Sequence, residues 1–283
     1  MNRLDEILNI ANHIPPFPKV AIQVMKMLEN KEVKAKDLAE VIQYDSAITA
    51  NLLKTCNAAY FGLTRKVSSL DDALVVVGHD ILKDIIIASS SARFYKGGAG
   101  EGYQLEQGDL WKHSVASAIM AKQLSGHFSE IDSGLAFTAG LLHDIGKRFL
   151  SSFVADDFEK LMKMGHRNGS SFLKAEREVL GMDHAELGGL IIEKWEFSED
   201  LIAAVREHHD PDALEKSQLT SLVALSNTLV VSLGIGVGAD GLSGKMQGEG
   251  LKRFGISMVD LDRYSANLIV EMEKAEEMMA LAG

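Results

Sequence analysis

The chain holds a single cysteine in 283 residues. Cys56 has no intramolecular disulfide partner, which fits a reducing interior. It shares an apolar helical face with Ile48, Leu52 and Leu53, where a thiol is a buried, inert filler. Prolines number only 4, which argues against long disordered linkers. No apolar run reaches about 18 residues without charges, so no membrane span is expected. The opening Met1-Asn2-Arg3-Leu4-Asp5-Glu6 has neither the basic nor the apolar region of a secretory signal. The expected location is therefore cytoplasmic. Basic residues are outnumbered 29 to 40, for a net charge of -11. Such a surface repels phosphate backbones, and no basic stripe is interleaved with aromatics. Direct nucleic-acid binding is not expected.

Strand signals are also scarce. The apolar fraction of 46% is ample for a core, and apolar residues recur at spacings of three and four almost throughout. The fold class expected is all-α. Pro15, Pro16 and Pro18 break the chain ahead of a helix through Val20, Val24 and Met27. Ser69 with Asp72 reads as a helix-capping pair, and Gly78 as a helix stop. Residues 73–90 are rich in valine and isoleucine, but they lack a pairing partner and favour two successive helices. Two glycine-rich breaks, 96–102 and 234–250, divide the chain. The expected organisation is an N-terminal helical subdomain over 1–96 and a second helical subdomain over 103–233. A glycine-rich loop and a C-terminal helix, acidic at its tail, follow over 234–283.

Histidines carry the chemistry. Asp109 and His113 lie four apart on one helix face, followed by the small residues Ala116 and Ser117. His143, Asp144 and Lys147 are polar groups inside an apolar helix read from Gly134 through Phe153. A buried carboxylate is costly unless it is paired or coordinated, and a divalent cation would offset that cost. Asp183 and Glu186 read as a helix cap and its reciprocal acid, which puts His184 in the first turn. His208-His209 precedes Asp210-Pro211, a helix end where both rings can face one centre. Histidine with aspartate suits zinc, iron or manganese, as one ion or two. Such metals polarise phosphoryl oxygens and activate water, and Lys147 is placed to meet a phosphate. His79-Asp80 reads as helix-start capping, and His13, His127 and His166 read as surface residues.

The order His113, His143-Asp144, His184, His208-His209 resembles the HD superfamily of metal-dependent phosphohydrolases. LLHDIGK resembles the HD helix of the HD-GYP cyclic-dinucleotide phosphodiesterases. That resemblance implies that Asp144 bridges metals, the histidines complete the shells and Lys147 faces phosphate. It also aligns Asp109 with an acidic ligand one turn before the first histidine. Two features depart from the pattern: HHDP runs into Asp212-Ala213-Leu214 without the HD-GYP loop, and Asn227 stands where a final aspartate is expected.

The segments IPPFPKVAIQVMKMLEN, AEVIQYDSAITANLLKTCNAAYFG and VSSLDDALVVVGHDILKDIIIASS resemble the N-terminal half of HDOD domains, HD-related output domains of bacterial signalling proteins. The resemblance runs from about Pro15 to about Leu229, with Asp45, Asn57 and Gly78 on positions typical of the pattern. It implies an HD-like helical bundle with an added N-terminal helical subdomain, and a regulatory module that binds a signalling protein partner. The retained ligands leave open a phosphohydrolase or phosphodiesterase acting on a nucleotide or cyclic dinucleotide. They also leave open a sensor that holds a nucleotide or phosphate at the metal, or a di-iron oxygen-using enzyme.

Overall fold

The computed structural model describes residues 2–30, 32–57, 67–96, 100–167, 171–239, 251–252 and 254–275. Helices follow one another as α1 (Arg3–His13), α2 (Lys19–Met27), α3 (Ala35–Ile42), α4 (Ser46–Cys56) and α5 (Leu70–Ala92). Then come α6 (Asp109–Leu124), α7 (Ser133–Leu142), α8 (Ile145–Arg167), α9 (Phe172–Leu180) and α10 (His184–Lys194). The last are α11 (Glu199–Glu207), α12 (Gln218–Ser232) and α13 (Met258–Lys274). No strand occurs among the described residues, so the fold is all-α.

Local chemistry explains many of the boundaries. Asn2, Asp45, Ser69, Asp132, Ser171, Asp183, Ser217 and Ser257 each cap the helix they precede by accepting a backbone N–H. An N-cap oxygen satisfies donors that the first turn leaves without partners. Gly78, at φ 68°, interrupts α5, so residues 73–90 form two helical stretches. The Asn57 side chain exchanges two 2.8 Å hydrogen bonds with the Val67 backbone.

One hydrophobic cluster extends from Ile7 to Ala275. The N-terminal helices are therefore welded to the second half. Arg3 meets Asp157 of α8 at 2.9 Å, and Lys194 of α10 donates to the Asn12 carbonyl at 2.6 Å. Trp195 donates to the Pro15 carbonyl at 3.0 Å and packs at a tilt against Phe17 and Phe94. Of the 96–102 break, 97–99 lie outside the described residues; Gly102 donates to Ser151 of α8 at 2.9 Å. Most of the 234–250 loop, residues 240–250, and the tail from 276, with Glu276 and Glu277, also lie outside them.

Between α5 and α6, Asp84 is buried against Lys122, with Oδ1 unpartnered. Burial pushes its carboxyl up to about 6 despite the lysine. An unfolded aspartate titrates near 3.9. Between about pH 4 and pH 6 the folded protein thus keeps a proton that the unfolded chain has released, and stability falls as pH rises. Asp84→Asn should remove that slope and add about 1–3 kcal/mol at pH 7. Urea titrations across pH 4–7 measure it, and an unchanged slope would clear Asp84 of the effect.

Candidate metal centre

The histidine-aspartate pair sits at a break between helices. The sequence pattern suggests one continuous helix over 134–153, but α7 ends at Leu142 and α8 begins at Ile145. His143 Nδ1 lies 2.8 Å from the Gly140 carbonyl, so the ring satisfies an acceptor at the end of α7. The break turns His143 and Asp144 into the bundle interior, where both are 0% exposed. α7 approaches α6 closely: a Cβ on Gly140 would lie 2.6 Å from the Ser117 carbonyl oxygen. The start of α8 touches the start of α10, where a Cβ on Gly146 would lie 1.9 Å from the His184 carbonyl oxygen. These contacts carry His113 and His184 to Asp144.

Asp144 lies between two sets of rings. Its Oδ2 is 3.3 Å from His143 Nε2 and 3.5 Å from His113 Nε2. Its Oδ1 is 3.5 Å from His184 Nε2 and 3.7 Å from His208 Nε2. His209 joins the Oδ1 side, and two groups of possible ligand atoms result: Asp144, His184, His208 and His209, and His113, His143 and Asp144. Lys147 is buried and donates to Asp144 Oδ2 at 2.6 Å. The structure thus brings together every histidine singled out from the sequence as a ligand, with Asp144 and Lys147. It does not bring in Asp109, whose carboxylate accepts the Glu106 N–H at 3.1 Å and stands outside both groups. Asn227, on α12, reaches His113 Nε2 at 3.2 Å.

Protein groups hold the other ring nitrogens of His113, His184 and His208. Nδ1 of His113 faces the Ile235 carbonyl at 3.0 Å, and Nδ1 of His208 faces the Val205 carbonyl at 2.8 Å. His184 Nδ1 faces Glu176 Oε2 at 2.7 Å. A ring nitrogen facing a carbonyl or carboxylate must be its protonated one, so the Nε2 lone pairs point at Asp144. Nε2 of His143, His184, His208 and His209, together with Asp144 Oδ1, are five buried atoms with no hydrogen-bond partner. An unmade buried hydrogen bond costs about 1–3 kcal/mol, so five rival the whole stability of a domain, about 5–15 kcal/mol. A cation among them would convert that cost into coordination, and the donor set fits one.

Electrostatics prepare the site. Burial pushes the His113 and His208 imidazoles down to about 4 and His209 well below its ordinary value. These rings are neutral at pH 7, the form that ligates. Burial alone would raise the Asp144 carboxyl, but His143 and Lys147 hold it well below the usual carboxylate range. Burial works against a charged His184, yet the Glu176 carboxylate outweighs it and raises that ring.

Glu176 and Tyr103 are the residues that sequence reading missed. Glu176, on α9, is fully buried, accepts from the His184 backbone at 3.1 Å and from Tyr103 Oη at 2.5 Å. A carboxylate behind a ligating histidine fixes its tautomer and raises its basicity. Glu176→Gln should weaken metal binding about 10–100-fold with helicity retained. Competition with a chelating dye reads this, and wild-type affinity would count against the role. His127, by contrast, is no bare surface residue: it bonds Tyr264 Oη at 2.7 Å. His13 is exposed, His79 half-buried, and the His166 side chain lies outside the described residues.

A cavity of about 130 Å³ opens beside His208 and His209, bordered by Pro211, Leu214, Leu225 and Leu251. No helix among the described residues is long and apolar enough to cross a membrane.

Among solved structures, an HDOD domain protein of unknown function from Geobacter sulfurreducens aligns at TM-score 0.75 and 22% identity, covering 98% of this chain and 97% of that one. A candidate phosphohydrolase from Shewanella amazonensis SB2B aligns at TM-score 0.72 and 22% identity, covering 98% of both chains. A candidate signal transduction protein from Marinobacter aquaeolei VT8 aligns at TM-score 0.72 and 18% identity, covering 100% of this chain and 61% of that one. These identities speak for the fold alone. An uncharacterized protein of Treponema pallidum is 26% identical over 225 residues, 77% of this chain and 42% of its own length. Ribonuclease Y of Thermus thermophilus is 29% identical over 121 residues, 43% of this chain and 16% of its own length. The chain thus spans less than half the length of the curated relatives it matches. The HDOD domain family model matches residues 14–211, more than half of the chain, and the chain belongs to the HDOD domain family.

Proposed function

We propose that the chain is a signalling HDOD module that holds a divalent metal at Asp144 and acts by binding a protein partner, not by turnover. The observation that carries this reading is a buried, inward-facing ligand set in which the neutral Asn227 stands 3.2 Å from His113 Nε2. The cavity beside His208 and His209 is about 130 Å³, below the roughly 300–1,000 Å³ usual for small-molecule pockets. The missing HD-GYP loop points the same way, as does the name of the Marinobacter neighbour. The donor set suits iron, manganese or zinc. The cytoplasm suits a chain with one buried thiol and no membrane-length helix among the described residues.

A second reading, metal-dependent phosphoester hydrolysis, is favoured by Lys147 beside the carboxylate. Bound there, a metal would polarise a phosphoryl oxygen and lower the pKa of a water. The names of the Shewanella neighbour and of ribonuclease Y support it. The deciding experiment assays metal-loaded protein beside Asp144→Asn on nucleotides, cyclic dinucleotides and generic phosphodiesters. The regulatory reading expects no difference between them. Turnover that disappears in the variant would replace it with the hydrolytic one.

A further inference from the structure

The two sides of Asp144 are not equivalent. On the Oδ1 side, His184, His208 and His209 each present an unpartnered Nε2, and Oδ1 itself has no partner. On the Oδ2 side, protein groups already occupy most of the donors. Lys147 Nζ donates to Oδ2 at 2.6 Å. His113 Nε2 lies 3.2 Å from Asn227 Oδ1. The His113 ring directs its proton from Nδ1 to the Ile235 carbonyl, so Nε2 is an acceptor. Two acceptors do not bond, so Nε2 selects the reversed amide, whose NH₂ donates to it. Only His143 Nε2 and an oxygen shared with an ammonium remain for a cation.

We infer that the chain holds one metal ion, on the Oδ1 side, ligated by Asp144, His184, His208 and His209, with the Lys147 ammonium standing where a second ion would sit. This rests on the metal reading proposed above. Charge argues for it as strongly as occupancy does. Asp144 and Glu176 are the carboxylates that touch these rings, and both are 0% exposed. Two divalent ions with Lys147 would set five positive charges against two negative ones in a site shielded from water. One ion sets three against two, which a single bound hydroxide or monoanion balances. Uncompensated charge is what a low-dielectric site tolerates least. Four protein ligands also suffice for a complete tetrahedral shell around zinc. Lys147 is then committed to Asp144, which limits its reach toward a phosphate.

The test uses the full chain, stripped with chelator, reloaded with excess Mn²⁺ and freed of unbound metal. Metal per chain is measured by mass spectrometry, and the bound ion by electron paramagnetic resonance. The expected result is one equivalent with the hyperfine sextet of an isolated ion. His184→Ala should lower occupancy at least about tenfold. The wild-type spectrum decides the count even where a variant fails to fold. Two equivalents with an exchange-coupled spectrum overturn the inference, as does an ion kept in His184→Ala and lost in His113→Ala. Wild-type protein that takes up no metal overturns the metal reading itself, a distinguishable failure.

Discussion

Asp144→Asn is expected to empty the metal site and to unbalance the apoprotein. The carboxylate is the one acid shared by both ligand groups, and it is also the buried partner of Lys147. Asparagine keeps the shape but removes the charge that attracts the cation. It also leaves the Lys147 ammonium in a closed interior facing a neutral amide. Breaking a buried ion pair from one side costs about 3–5 kcal/mol. For a domain of this size each 1 kcal/mol moves Tm by about 2–4 °C, so a fall of roughly 6–20 °C should appear in thermal melts of metal-free protein. Lys147→Met in the same background should return most of that loss without returning metal. A variant that binds metal like wild type and melts with it would refute both halves of this argument.

Gly146→Ala should produce the other large effect, through backbone alone. The added Cβ would fall 1.9 Å from the His184 carbonyl oxygen and 2.8 Å from the Gly188 backbone nitrogen. No flexible side chain can yield there, so α8 and α10 must separate by an ångström or so. Overpacking of this kind costs about 1–3 kcal/mol. Its functional consequence is larger, because a site held roughly 1 Å too loose no longer presents its ligands together. Metal affinity should fall at least tenfold, as it does when a supporting contact to a ligand is lost. Chelator competition together with calorimetric melting reads both quantities. Wild-type affinity at Gly146→Ala would mean that the α8–α10 contact does not set the position of His184.

Much of this was legible in the sequence, for identifiable reasons. Helices follow from spacing and caps, and Asp183 with Glu186 form the reciprocal cap that places His184 in a first turn. His208 lies at the end of α11 as Pro211 requires. The helix break at His143-Asp144 was hidden, because it depends on His143 turning its ring to Gly140, which no local propensity records. Asp109 misled because an acid opening a helix reads alike as a ligand and as a turn acceptor. Glu176 did carry a signal. It shares the buried face of α9 with Phe172, Ala175 and Leu180, and an acid on such a face demands a partner. Tyr103 carried none, since its contact with Glu176 joins a 3₁₀ turn to a helix 73 residues away.

The central claim is that the four unpartnered atoms on the Oδ1 side of Asp144, Oδ1 itself and Nε2 of His184, His208 and His209, are ligands waiting on a cation and not an imperfect polar core. Anomalous diffraction from crystals of the purified protein, collected above and below the absorption edge of the metal found by elemental analysis, tests this most directly. The expected result is an edge-dependent peak within bonding distance of Asp144 Oδ1 and of Nε2 of His184, His208 and His209. A map with no peak there, and those nitrogens bonded to water or to one another, would contradict it.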